Sequence, residues 1–589
     1  MSFTHAGDIN GVSMQPSFPN AIVILVFSVS VALFIIRRGA TPKQWFCALI
    51  ILAPGFYFII TSYLAINKFS AENAAIARAA AAAMALITVI RTCAFKKIWP
   101  AEPRAVTTAL SLAAVLAVSA FYNLGYAQFW NAGEKRPEFI HPNDLSQYFP
   151  VVKYFPELRY NGLFNAVYAA LREDHPENPN IIPPEMMVRS LDTHQFVLIS
   201  DIENQIRQTK AKFTPERWQA FKQDMRFFEN IFGTRTYIDV MTHDNGANGS
   251  PAWMTIAYPF FAHSIASAEL FKFTAILDPL LFAIGFLSLG WAFGINTMLI
   301  CMVIFGANDF YMYGSDWVGA TLRHDWLAYM MLGIATLKKR HWFEGGLFLG
   351  FSAMMRAFPA ILILGLAIPG LWRLLEKWRK TKSLSAKNII RSIWPLPYVL
   401  LGVAASVTAL FLLSSMLFDM HSWLEWYKKI ALFESVSHGN EIGLKSLIAG
   451  TEWGRETVLH QRWVVYYGLY IFALALIFWA GRGQPLHRAA LLGSLLIPVI
   501  FSPSNYYMHY ICLLPLLADK NAKSWHGPAI WITLLTLCWM QYWPTQIHTH
   551  DIRFSISTSF LALTWCLLIA TIIDRDRCGG IDKQCIKEP

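Results

Sequence analysis

Long apolar runs recur along most of this chain and constrain its fold more than any other feature. Many are about 17 to 25 residues long, the length that an α-helix needs to cross the hydrocarbon core of a bilayer. Composition agrees, because only 15% of the 589 residues are charged, against about 25% in soluble domains. The sequence therefore predicts an all-α polytopic membrane protein.

The apolar runs predict about fifteen transmembrane helices. Lys and Arg cluster in short connections on one side, and the retention of positive charge in the cytoplasm makes that side cytoplasmic. We therefore expect a multi-pass protein of the plasma (inner) membrane, with its N-terminus outside and its C-terminus in the cytoplasm. The spans are predicted at 21–36, 45–66, 73–95, 105–128, 271–293, 295–312, 322–337, 342–356, 358–374, 395–417, 463–481, 488–502, 505–518, 526–542 and 554–573.

The sequence supports neither nucleic-acid binding nor a structural role for paired cysteines. The net charge of +11 follows from the basic connections and does not indicate nucleic-acid binding. The eight cysteines include no Cys-x-x-Cys pair, so they predict neither a metal site of that kind nor a disulfide framework.

Two long polar segments, about 131–270 and 418–462, face the extracytoplasmic side in this topology. The first is large enough to form a small folded subdomain. Within it, residues 215–232 place apolar side chains at helical spacing and Pro215 in a first-turn position, so they predict an amphipathic helix.

Asp144 is the candidate general base. It follows the fourth predicted span closely and therefore lies near the outer membrane surface, where a carboxylate can take a proton from an acceptor hydroxyl. The alternative is structural: Asp144 precedes Leu145 and could cap a short helix.

Basic residues at the outer ends of spans are candidates for binding a phosphate. Arg356 lies between two apolar stretches, and either binds a phosphate group or extends its charge to the interface. Arg323 has the same two interpretations, or pairs with Asp325 or Asp316. His509 lies in a tyrosine-rich outer turn that an interfacial aromatic belt also explains.

Two outer loops have the composition of binding loops. The segment HDNGANGSPAW contains a second carboxylate, Asp244, and ends in Trp253. The segment SHGNEIGLKSL contains Asn440. Clusters of Gly, Asn and Ser are also typical of ordinary turns, so both interpretations stay open.

Three passages carry a resemblance to a known family: HPNDLSQYFPVVKYFPEL, MMRAFP and NYYMHYICLLPLL. Together with the architecture from about residue 105 onward, they resemble the GT-C superfamily of integral-membrane glycosyltransferases, especially its polyprenol-phosphate-mannose-dependent branch. The resemblance implies a transmembrane core at 105–589, with loops 131–270 and 418–462, and an accessory unit of about three helices at 1–104.

The resemblance also implies an activity, which is transfer of a sugar from a polyprenyl-phosphate carrier to an extracytoplasmic glycan, lipid or protein acceptor, with inversion. Asp144 would be the base, and Arg356, with Arg323 or His509, would hold the donor phosphate. The expected acceptor contacts are Lys153, Tyr148, Tyr154, Asp244, Trp253 and Asn440. No cofactor is certain, and a divalent metal is possible.

The main alternative is a polytopic transporter or flippase for a lipid-linked or polar substrate. Charged residues within spans would then line its pathway. The large outer insertion and the absence of a visible inverted repeat favour the glycosyltransferase.

Overall fold

The computed structural model describes residues 71–93, 102–125, 127–308, 318–382, 385–436, 439–450, 454–518, 526–541 and 552–578. The predicted spans at 21–36 and 45–66 lie outside the described residues, as does Asp316. The described part of the chain is mostly helical, with two short β-hairpins.

Among the described residues, two helices precede the large polar insertion: α1 (Ala71–Cys93) and α2 (Pro103–Phe121). The insertion then contains β1 (Phe129–Asn131), β2 (Arg136–Glu138), α3 (Pro142–Lys153), α4 (Phe155–Leu158), α5 (Leu163–Asp174), β3 (Met187–Arg189), β4 (Phe196–Leu198), α6 (Ile199–Lys210), α7 (Pro215–Phe232), α8 (Thr234–His243) and α9 (Pro251–Phe261). Each hairpin is antiparallel, with Trp130 opposite Pro137 and Val188 opposite Val197.

The rest of the described chain is helical. Its elements are α10 (Ala268–Ala275), α11 (Leu277–Phe293), α12 (Ile295–Ala307), α13 (Asp325–Lys338), α14 (Trp342–Met355), α15 (Ala360–Thr381), α16 (Ala386–Ile393), α17 (Leu396–Phe418), α18 (His421–Ser435), α19 (Leu444–Ala449), α20 (Arg455–Gln461), α21 (Trp463–Ala480), α22 (Leu486–Ser494), α23 (Ile497–Ile500), a 3-10 helix (Asn505–Leu517), α24 (His526–Met540) and α25 (Ile552–Cys578).

Five helices of the described part are long and apolar enough to cross a membrane: Ile76–Cys93, Pro103–Phe121, Ala268–Phe293, Leu396–Phe418 and Trp463–Ala480. Shorter apolar helices are Ile295–Ala307, Leu486–Ile500, Gly527–Met540 and Thr558–Ile573. These helices are compatible with a membrane protein. The count of about fifteen spans stays a prediction.

Several predicted spans differ in detail from the observed elements, and two of them show why. The span at 105–128 ends as a helix at Phe121, because Asn123 and Leu124 have positive φ angles of 52° and 51°. The span at 505–518 is a 3-10 helix and not an α-helix, so its side chains repeat every three residues.

Small residues let the apolar helices approach closely. Helix α2 packs against both α1 and α12. At the crossing with α12, a Cβ atom on Gly306 would lie 2.3 Å from the backbone carbon of Ala117. Only glycine permits this approach, as in other close helix crossings in membranes.

The insertion folds around its own buried face. The amphipathic helix predicted at 215–232 is confirmed as α7, which Thr214 caps by accepting a backbone N–H three residues further on. Trp218, Phe221 and Phe228 are buried on one side of it, which is the 3.6-residue pattern of an amphipathic helix.

Asp224 on α7 connects this helix to α3 and to the segment after α9. Its Oδ2 atom accepts hydrogen bonds from Lys153 Nζ and Tyr154 Oη, both at 2.7 Å. Its Oδ1 atom accepts from the backbone N–H of Ala266 at 2.9 Å. The carboxylate is almost completely buried, so its partners replace the water that it lost.

We expect Asp224→Ala to lower the free energy of unfolding by about 3–5 kcal/mol, the cost of leaving a buried cation without its partner. Thermal unfolding of the full-length protein in detergent measures this loss. Glu185→Ala removes an exposed carboxylate of the same insertion and should stay within about 0.5 kcal/mol. Equal melting temperatures for the two variants would contradict the structural role of Asp224.

Candidate functional site

The candidate base lies in the first turn of α3, facing the apolar helices. The N-cap of this helix is His141, whose Nδ1 atom accepts from the backbone N–H of Asp144 at 3.0 Å. Asp144 is therefore not the N-cap of this helix, and its interpretation as a helix cap is wrong. The side chain is buried, with 4% of its surface exposed.

Asp144 forms an ion pair with Arg323. Its Oδ1 atom lies 3.3 Å from Arg323 Nη1, which also donates to Tyr148 Oη at 2.9 Å. The Arg323 guanidinium lies over the rings of Tyr148 and Tyr506, at 5.3 and 5.4 Å from their centroids. Residues 144 and 148 are one helical turn apart, so α3 presents both to the same partner.

The electrostatics of the pair favour a basic carboxylate. Burial raises the pKa of Asp144 above its usual value, and the positive charges of Arg323 and Arg356 oppose this shift only in part. Burial and the positive charge of Arg323 lower the pKa of His141 to about 3. His141 is therefore neutral, as its Nδ1 atom must be to accept a hydrogen bond.

The segment that carries Arg323 is held by two close backbone contacts. Gly319 accepts from the N–H of His141 at 3.1 Å, and its φ of +91° is a conformation that favours glycine. A Cβ atom here would lie 2.3 Å from the carbonyl oxygen of Phe139. Trp253 Nε1 donates to the carbonyl of Leu322 at 2.9 Å, which fixes the residue before Arg323.

Arg356 follows the last residue of α14 and is buried, with 6% of its surface exposed. It therefore does not extend its charge to an interface. Its Nη1 atom donates to the carbonyl of Met355 at 3.1 Å. Its Nε and Nη2 atoms are buried without a hydrogen-bond partner among the described residues, which is costly for a guanidinium.

The Gly/Asn-rich loop predicted as a binding loop supports this cluster. Asn248 accepts a hydrogen bond from Tyr148 Oη. Ser250 caps α9 and donates from Oγ to the carbonyl of Met354 at 2.6 Å, two residues before Arg356. Asp244 accepts from Asn143 Nδ2 at 3.2 Å, beside Asp144. This loop thus contacts all three segments that supply the charged residues.

Two buried carboxylates, neither of them a predicted site residue, complete the cluster. Asp278 Oδ2 accepts from the backbone N–H groups of Arg323 and His324, both at 3.0 Å. Asp325 Oδ1 accepts from the N–H of Trp326 at 2.7 Å. For Asp278, the signal available in the sequence is a carboxylate within an apolar run, LDPLLF.

His509 lies against the ring of His324. Its ring contacts Phe121, Phe305 and His324, with centroids 5.3, 5.4 and 5.7 Å apart. His324 Nδ1 in turn lies 3.2 Å from Asp278 Oδ2. His509 therefore joins the cluster through His324.

Three of the predicted acceptor contacts lie away from Asp144. Lys153 and Tyr154 bind Asp224 on the other side of α3, so the structure does not bring them to Asp144. Asn440 accepts from the N–H of Asn505 at 2.9 Å and so supports the turn before Tyr506.

An apolar cavity of about 330 Å³ opens beside the cluster. Phe121, Tyr122, Ile276 and Phe282 contribute to its wall, and Asp278 and His324 lie on the same lining. An apolar chain in this cavity would lie next to the residues around Arg323.

The arrangement combines a buried carboxylate with two arginines. No three His, Cys, Asp or Glu side chains come together as metal ligands in the part of the chain that the structure describes. Comparison with models of known protein families, with curated proteins and with solved structures gave no match to this chain.

Proposed function

We propose that this protein is a membrane glycosyltransferase, which moves a sugar from a polyprenyl-phosphate carrier to an extracytoplasmic acceptor with inversion. The observation that carries this proposal is the buried cluster of Asp144, Arg323 and Arg356. It offers a base and two cations, which are the groups needed to activate a hydroxyl and to receive a phosphate.

Arg356 supports the assignment of a phosphate ligand. A buried guanidinium with two nitrogens lacking partners among the described residues gains charge-assisted hydrogen bonds when an anion binds. Arginine suits this ligand because its planar donors match phosphate oxygens. Arg323 donates a hydrogen bond to Tyr148 Oη and supplies a second positive charge.

The chemical step is an inverting displacement. Asp144 takes the proton of the acceptor hydroxyl, and the hydroxyl oxygen forms a bond to the anomeric carbon. The bond from that carbon to the phosphate oxygen breaks, and its electron pair leaves with the polyprenyl phosphate. Arg356 and Arg323 stabilise the negative charge that develops there. The raised pKa of Asp144 makes its carboxylate a better proton acceptor.

The apolar cavity supports a lipid-linked donor. Its lining of Phe121, Ile276 and Phe282 suits a prenyl chain. Asp278 and His324 also line the cavity, so a chain bound there would lie next to the charged cluster. In the topology we propose, this cluster lies at the outer surface of the plasma membrane, the N-terminus is outside, and the C-terminus is cytoplasmic.

A reconstituted reaction tests the proposal. We expect the purified protein in liposomes to consume polyprenyl-phosphate mannose, in the presence of cell-envelope extract as the acceptor source, and to release free polyprenyl phosphate. The new linkage should have the opposite anomeric configuration to the donor. Movement of intact donor across the bilayer without its cleavage would support the transporter or flippase instead.

A further inference from the structure

A second cavity, of about 450 Å³, lies between the polar insertion at 131–270 and helix α18. Its walls are residues 158–165, helix α6, the loop around Asp192 and helix α18. The volume falls within the range of about 300–1,000 Å³ that is usual for small-molecule sites. Neither Asp144 nor Arg323 lines this cavity.

The lining of this cavity is rich in neutral polar side chains: Asn161, Asn165, Gln205, Gln208 and Thr209. Amides and hydroxyls both donate and accept hydrogen bonds. A ligand that carries many hydroxyl groups satisfies such a lining better than an apolar one does.

Lys429 supplies a buried positive charge at this cavity. Only 3% of its surface is exposed, and its Nζ atom donates to the carbonyl of Tyr160 at 3.0 Å and to Asn161 Oδ1 at 3.3 Å. Both partners are neutral. Among the described residues no carboxylate lies within ion-pair distance of Lys429, since Asp192 and Asp244 act on it only from further away.

The energetics favour an anion at Lys429. Burial lowers the pKa of this ammonium group to about 8, because a charge without a counter-charge is poorly stabilised away from water. Lys212 and Lys428 add two exposed cations to the lining. Of the acids there, Glu425 is already bound by Arg159 at 3.0 Å.

We propose that this cavity binds an acidic sugar unit, with the carboxylate or phosphate of the sugar on the Lys429 ammonium group and its hydroxyls on the amide side chains. The site goes beyond the proposed sugar transfer, and its existence does not depend on that activity. It is nevertheless adjacent to the first site: Trp426 Nε1 on α18 donates to the carbonyl of Asn248 at 3.1 Å.

Binding to the purified full-length protein tests the proposal by isothermal titration calorimetry. The ligands are glucuronic acid, glucose 6-phosphate, glucose and inorganic phosphate. We expect at least one of the two acidic sugars to bind at least tenfold more tightly than both glucose and inorganic phosphate, because only the acidic sugars combine an anion with hydroxyls. The preferred acidic sugar identifies the carboxylate or the phosphate as the anion. If glucose or inorganic phosphate binds as tightly as the acidic sugars, the proposed acidic-sugar site is wrong.

Two variants locate the site. Lys429→Met should weaken binding of the preferred acidic sugar at least tenfold, whereas Lys135→Met, an exposed lysine of the first hairpin turn, should leave it unchanged. Should Lys429→Met fail to fold, Gln208→Ala carries the test, because Gln208 is exposed and its loss should weaken binding severalfold. An unchanged dissociation constant in Gln208→Ala, or in a folded Lys429→Met, would refute the site.

Discussion

Asp144→Asn should lower the turnover of sugar transfer by about 10²- to 10⁴-fold, the usual contribution of a general base. Asparagine keeps the size of the side chain and can still accept a hydrogen bond from Arg323, but it cannot take a proton. Donor affinity should persist, since Arg356 is untouched. Turnover and donor binding, measured on the same purified variant, separate these two effects.

The same carboxylate predicts an acidic limb in the pH profile. The base works only when it is deprotonated, and burial raises its pKa above the ordinary value. Activity should therefore fall as the pH falls through this raised pKa, and Asp144→Asn should abolish that limb. Asp144→Glu should recover part of the activity, because its carboxylate still titrates but is displaced.

Asp244→Asn distinguishes the two neighbouring carboxylates. Asp244 Oδ1 accepts from the backbone N–H groups of Asn245 and Gly246, at 2.5 and 3.3 Å, and an asparagine can make the same turn contacts. We expect a much smaller loss than in Asp144→Asn. Loss of transfer in Asp244→Asn, with an active Asp144→Asn, would move the base to Asp244 without changing the class of enzyme.

The periodicity of α3 explains which of the residues selected there reach the cluster. Tyr148 lies four residues after Asp144, so both are on one face. Lys153 lies nine residues after Asp144, which is about half a turn away around the helix at 3.6 residues per turn. Helical spacing therefore predicts that Lys153 faces away from Asp144, and the structure shows that its partner there is Asp224. The resemblance instead implied that Tyr148 and Lys153 both contact the acceptor.

The long-range contacts were less accessible from the sequence. The topology predicted that Asp144, Arg323 and Arg356 share one side of the membrane, but not that the first two pair. That pairing depends on backbone contacts such as Gly319 to His141, which no periodicity encodes. Hydropathy likewise does not distinguish an arginine that faces lipid from one that is buried by neighbouring helices, so the burial of Arg356 required the structure.

Arg356→Met should impair the proposed sugar transfer as strongly as any change outside Asp144. A hydrogen bond to a charged group contributes about 1.5–3 kcal/mol, so donor affinity should fall by about 10- to 150-fold. Turnover should also fall, by about 10²- to 10³-fold, if Arg356 stabilises the leaving phosphate as an oxyanion donor does. Arg356→Lys should recover only part of this loss, because lysine keeps the charge but not the planar set of donors.

Stability separates a ligand-binding role for Arg356 from a structural one. Because two of its nitrogens lack partners among the described residues, replacement by methionine should leave the melting temperature unchanged or raise it. Arg455 is the matched control: it is also buried but is paired with the buried carboxylate of Glu441. Arg455→Met should lower the free energy of unfolding by about 3–5 kcal/mol. An Arg356→Met variant that unfolds as readily as Arg455→Met would show that Arg356 has a structural role. Normal donor affinity in Arg356→Met would show that the phosphate is held elsewhere.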